Sequence, residues 1–133
     1  MVSDKRGVSR ASVLSYTIQM EEIRITERRR FTADHYHALP NFCEPRHGHD
    51  WEAEATVEEG GRALLGSLLG AWAEALSQSL LNEKEILAGR NPTAEVLAEC
   101  LFRHLEDSGA RPVTVRIREK PQYWAACGRD GWA

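Results

Sequence analysis

Apolar residues recur along the chain with two different periods, and each change of period marks a new element. Within residues 16–30, Tyr16, Ile18 and Met20 share one face, and Ile23 and Ile25 follow after a one-residue shift. That pattern predicts a long strand with a bulge, or two short strands. Pro40-Asn41 marks a loop. From His47 the alternation is clean, with His47, His49, Trp51, Ala53, Ala55 and Val57 on one face and acidic or polar residues on the other, up to Gly60-Gly61. Leu64, Leu65, Leu68, Leu69, Trp72, Leu76 and Leu80 then recur at three- and four-residue steps, which predicts an amphipathic helix over residues 62–81. Asn91-Pro92-Thr93-Ala94-Glu95 reads as the start of a second helix. Asn91 is its expected N-cap, Pro92 its first helical residue and Glu95 an acid of its first turn. Val96, Leu97, Cys100, Leu101, His104 and Leu105 form its expected apolar stripe, and Gly109 stops it. Val113, Val115 and Ile117 alternate as a strand, with a short partner at residues 123–126.

The order is strand, strand, helix, helix, strand, strand. It predicts an α+β fold: a two-layer sandwich in which a four-stranded antiparallel sheet carries two helices on one face. Such a sheet leaves two edges open, and pairing with other subunits is one way to cover them. The 133 residues are enough for one domain. Residues 1–11 are polar and basic and are expected to form a flexible tail, leaving 12–133 as the folded unit. Hydrophobic residues at 42% and charged residues at 28% suit a soluble globular protein rather than a disordered one. The net charge of -3 argues against nucleic acid as a partner. No apolar run approaches the roughly 20 residues of a membrane span, and residues 1–12 lack an apolar signal core, so a cytoplasmic protein without a membrane partner is expected. Cys43, Cys100 and Cys127 are too few and scattered for a disulfide framework.

Four of the five histidines fall between His35 and His49. In His47-Gly48-His49, residues two apart on a strand project from the same face, and Gly48 permits close approach to the backbone. A third imidazole, His35 or His37, lies at the end of the preceding strand. Three neutral imidazoles plus a water make an open zinc site; two surface histidines beside a loop would give the same string.

Five segments occur in a fixed order: Phe31-Thr32-Ala33-Asp34-His35, Cys43-Glu44-Pro45-Arg46-His47-Gly48-His49, Leu81-Asn82, Asn91-Pro92-Thr93-Ala94-Glu95 and Arg118-Glu119. Together they resemble the 6-pyruvoyl-tetrahydropterin synthase family, which includes bacterial 6-carboxy-tetrahydropterin synthases of the queuosine pathway and relatives serving folate synthesis. The resemblance implies the tunnelling fold (T-fold), in which three sheets join into a barrel, two trimers stack into a homohexamer, and pterin sites lie between subunits. It implies zinc held by His35, His47 and His49, with His37 left out. It also implies Cys43 as catalytic base, Glu119 as the carboxylate that anchors the pterin ring, and Thr93 as a residue lining the pocket from a neighbouring subunit, although Thr93 also suits plain helix capping.

The chain departs from the family in one chemically decisive place. The Asp-His pair that works with the cysteine aligns with Ser77 and Gln78. Neither titrates near neutral pH, so neither shuttles a proton. The expected function is therefore a pterin-binding homologue without the standard synthase reaction. An active lyase cutting dihydroneopterin or its triphosphate, using zinc with Cys43 or Glu44, is the alternative. A non-catalytic assembly or regulatory module is a further one.

Overall fold

The computed structural model describes residues 23–129. The expected tail and the alternation at Tyr16, Ile18 and Met20 fall outside this range. Strand β1 (Arg24–His35) is followed by a two-residue-arm hairpin, β2 (Ala38–Leu39) and β3 (Phe42–Cys43), which turns at Pro40-Asn41. Strand β4 (His47–Glu58), helix α1 (Arg62–Leu76), helix α2 (Ala94–Asp107), β5 (Pro112–Lys120) and β6 (Tyr123–Gly128) complete the order. The four long strands form one antiparallel sheet in the order β1-β4-β5-β6. This is the predicted α+β sandwich, and no helix among the described residues is long and apolar enough to cross a membrane.

The period-two pattern decides which face of the sheet meets the helices. Phe31, Ala33 and His35 of β1, Trp51 to Val57 at alternate positions of β4, and Val115 and Ile117 of β5 are buried. Phe31 stacks on Trp51 with ring centroids 6.0 Å apart and meets the edge of Trp72 from α1. Ala53 and Ala55 leave room above the sheet for Leu65, Leu69, Leu97 and Leu101. The opposite face is a lattice of charge. The Arg28 guanidinium donates to Glu54 at 2.9 Å, Arg116 reaches the same carboxylate at 3.4 Å, and Arg118 pairs with Glu52 at 3.2 Å. Arg116 also lies over the Trp124 ring at 4.3 Å. A face of this composition cannot bury a second apolar layer and stays wet.

Three local expectations are corrected. Helix α1 ends at Leu76, not at residue 81. The leucine spacing continues to Leu80, but backbone pairing with β1 pulls the chain out of the helix. Gln78 N donates to Thr32 O at 2.5 Å, Asp34 N donates to Ser79 O at 2.9 Å, and Gln78 takes a left-handed φ of 55°. The N-cap of α2 is Thr93, whose hydroxyl accepts from Val96 N at 3.1 Å. Asn91 and Pro92 precede the cap, and the Asn91 amide pairs with both the N–H and the carbonyl of Ala38, tying the β2–β3 hairpin to the start of α2. Finally, Leu64 and His104 are exposed, and α2 buries Phe102 instead of His104. Gly109 does terminate α2, with a φ of 84°.

Candidate metal centre and adjoining cavity

Antiparallel register brings the imidazoles together. His35 ends β1 directly opposite His47, the first residue of β4, and His49 is two positions further along the same face. The ring centroids of His35, His47 and His49 lie 4.7 to 5.0 Å apart, and one ring nitrogen from each can be chosen so that all three fall within 4.8 Å of one another. Of the two histidines that the sequence allowed for the third position, His35 is the one inside the cluster.

Backbone carbonyls settle which nitrogen is free. His35 Nδ1 lies 2.7 Å from Pro92 O, and His47 Nδ1 lies 2.9 Å from Pro45 O. A carbonyl only accepts, so both rings carry their proton on Nδ1 and turn a bare Nε2 away from these anchors. Burial pushes the His35 imidazole below its ordinary pKa, against the opposing pull of Pro92 O and Glu119, and burial does the same at His49. Neutral rings are what a cation requires. Nε2 of His35 and Nε2 of His49 are buried without a hydrogen-bond partner. Buried orphan acceptors are costly, and a zinc ion is the partner this donor set fits.

Glu119, from the end of β5, reaches the cluster. Its Oε2 lies 3.1 Å from His35 Nε2 and 3.2 Å from His49 Nε2. It also edges a cavity of about 220 Å³, with His37, Thr93, Ala94, Lys120 and Tyr123. Thr93 caps α2, as its sequence position allowed, and also lines this cavity within the same chain as Glu119.

Cys43 is exposed on β3. Glu44 turns back to accept from His37 N at 2.9 Å, and its Oε1 lies 3.6 Å from His37 Nδ1. Burial alone would raise its carboxyl, but the His37 N–H and the surrounding imidazoles outweigh that and hold it below the ordinary value. Ser77 and Gln78 sit where α1 gives way to the strand-like segment, and Gln78 is exposed.

Two features of the site go beyond the sequence reading. His37 belongs to the cavity wall, its ring 5.3 Å from that of His35 and its Nε2 buried without a partner. Tyr123, which lines the cavity, donates its phenol proton to Glu95 in the first turn of α2. Each depends on loops closing elements that are distant in the chain, and periodicity says nothing about such closures.

The chain as a whole has counterparts among known proteins. The profile of 6-pyruvoyl tetrahydropterin synthase matches residues 24–130. Among solved structures, the chain is similar to the 6-pyruvoyl tetrahydropterin synthase of Caenorhabditis elegans, at 16% identity and a TM-score of 0.70, over 84% of this chain and 99% of that one. It is similar to the enzyme of Plasmodium falciparum at 14% identity and a TM-score of 0.61, over 80% and 96% of the two chains. A Plasmodium vivax enzyme altered from glutamate to alanine at a catalytic residue matches at 10% identity with a TM-score of 0.56, covering 82% and 98%. No curated protein sequence matches the chain.

Proposed function

The chain belongs to the 6-pyruvoyl tetrahydropterin synthase family, and from that premise we propose that it binds a pterin beside a zinc site without carrying out the standard synthase reaction. The observation that carries this reading is the convergence of His35, His47 and His49, two of them with orphaned buried nitrogens within 3.2 Å of Glu119, which lines the adjoining cavity. In it, His35, His47 and His49 hold the ion, and Glu119 accepts the ring N–H and exocyclic amino group of the pterin in a paired, charge-assisted contact. Zinc, when bound, supplies Lewis acidity toward the hydroxyls of the pterin side chain. Thr93 and Tyr123 bound the ring's cavity.

The loss of synthase chemistry rests on Ser77 and Gln78. General acid–base groups contribute roughly 10²–10⁴-fold in rate, and these side chains supply no proton at neutral pH. Calorimetry with neopterin tests the binding half: Glu119→Ala should weaken binding at least about tenfold, through loss of a charged acceptor, whereas Ser77→Ala and Gln78→Ala should leave it unchanged. Turnover of dihydroneopterin triphosphate at a rate usual for the family would overturn the other half. No pterin binding by the native protein would leave the fold as an assembly module.

A lyase acting on the dihydroneopterin side chain is the second reading. It is favoured by the Glu44–His37 pairing beside Cys43 and by a Plasmodium vivax relative whose catalytic residue is a glutamate. Release of a two-carbon aldehyde from dihydroneopterin, lost in Glu44→Gln, distinguishes it.

For assembly, the proposal is a homohexamer of two trimers. β1 and β6 are the edges of the sheet. Joining the β1 edge of one subunit to the β6 edge of the next closes three sheets into a barrel and removes every edge. The charged sheet face would then line the wet interior. A monomeric mass by light scattering at micromolar concentration argues against it.

A further inference from the structure

We propose that Glu119 is a fourth protein ligand of the cation in the resting protein, and that a pterin opens the metal site by drawing this carboxylate away. The inference rests on the three-histidine zinc reading for its first half and on the pterin reading for its second.

The geometry carries it. A tetrahedral zinc with bonds of about 2.0–2.1 Å has ligand-to-ligand edges of about 3.3–3.4 Å. Glu119 Oε2 stands 3.1 Å from His35 Nε2 and 3.2 Å from His49 Nε2, close to that edge length on both sides. These contacts are not hydrogen bonds. Both Nε2 atoms remain without a partner despite an oxygen within 3.2 Å, because the oxygen lies off the direction in which each nitrogen points. The proton of His35 is on Nδ1, held by Pro92 O, so its Nε2 carries a lone pair rather than a proton. A carboxylate oxygen set beside a bare imidazole nitrogen, each aimed elsewhere, is an arrangement that a shared cation between them makes favourable. Glu119 is mostly shielded from solvent, with its side chain 14% exposed, so water does not compensate in its place.

The consequence is a competition. A bidentate contact to a pterin uses both carboxylate oxygens, and one of them is here committed to the metal side. An empty site holds the cation with His₃Glu, a closed set with no free position. A pterin that pairs with Glu119 removes that ligand and leaves an open position for a side-chain hydroxyl. The cation is thus reactive only with substrate in place.

Cobalt(II) reports both steps, since its visible spectrum reads the number and kind of ligands. The chelator-competed Co²⁺ affinity and the spectrum are measured for the full chain, Glu119→Gln, Glu119→Ala and His47→Ala, each checked for folding by circular dichroism. Expected are an affinity at least about tenfold weaker in both Glu119 variants, a changed spectrum in both, and a spectral shift on adding neopterin to the native chain only. Native affinity and spectrum in both Glu119 variants would overturn the proposal while leaving the three-histidine site intact. If the Glu119 variants lose Co²⁺ affinity but neopterin binds nowhere by calorimetry, the fourth ligand stands and the pterin reading falls. Unchanged affinity in His47→Ala as well would remove the metal site altogether.

Discussion

His35 Nδ1 and the carbonyl of Pro92 are 2.7 Å apart, so the start of α2 fixes the tautomer of a ring that ends β1. A backbone anchor makes this relationship insensitive to which side chain occupies position 92. It also couples the candidate metal centre to the fold, because His35 is fully buried. Zinc bound only by the folded chain adds stability by mass action, about 2.7 kcal/mol at a hundredfold excess over the dissociation constant. Chelation should therefore lower the thermal midpoint of the native protein, and readdition of zinc should restore it. In His47→Ala, whose partly exposed ring can be removed with less disturbance to the core, chelator and zinc should both leave the midpoint unmoved. Equal chelator sensitivity in the two proteins would show that the stabilising ion sits elsewhere.

The proposed loss of the proton relay can be tested from the other direction. Gln78 takes a left-handed φ of 55°, a conformation that His tolerates better than most side chains. Its amide is held by Thr32 O, so Ser77→Asp with Gln78→His should keep the backbone. The double variant should convert dihydroneopterin triphosphate measurably faster than the native chain, and each single variant should gain less. No gain in a folded double variant would mean that the replaced residues are not what limits the reaction.

The parts of this site that were legible in the sequence are those governed by strand parity. His47 and His49 must share a face if β4 is a strand, and Trp51 to Val57 continue that face into the core. What parity could not choose was the third imidazole. His35 and His37 are also two apart, and both would point the same way on a continued strand. β1 stops at His35, and the Asn91 amide then claims the Ala38 backbone, turning His37 toward the cavity and Glu44. The helix ends failed for a related reason. Leu80 keeps helical spacing, yet two backbone bonds to β1 outweigh it, and Thr93 displaces Asn91 as cap because Asn91 is already bonded to the hairpin. Competition between partners distant in sequence decides such points.

Close packing at the start of α1 yields a stability prediction. A Cβ placed on Gly61 would lie 1.7 Å from the carbonyl oxygen of Ala110, which is backbone and cannot swing aside. On Gly60, the atom that a Cβ meets first is the tip of the Arg111 side chain at 2.9 Å, which can. Gly61→Ala should destabilise by about 1–3 kcal/mol or more, as overpacking does, and Gly60→Ala by well under that. Urea denaturation of the two variants measures the difference; equal midpoints would mean that the loop before β5 yields freely.

The phenol of Tyr123 and the carboxylate of Glu95 give the site its own pH signature. The hydrogen bond to Glu95, together with burial and the negative charge nearby, pushes Tyr123 up to about 12. The same bond, opposed by burial, lowers Glu95. The signs follow from linkage. Tyr123 is raised above its unfolded value of about 10, so its contribution is fully present below pH 10 and is lost as the pH rises through about 12. Glu95 is depressed, so its contribution is present above its unfolded value and is lost as the pH falls through the folded one. Tyrosinate absorbance should therefore show a late ionisation step near pH 12 that belongs to Tyr123. Tyr123→Phe should delete that late step, and Glu95→Gln should move it back toward an ordinary phenol. A late step that persists in Tyr123→Phe would assign it to another tyrosine and overturn the Tyr123–Glu95 bond as its cause.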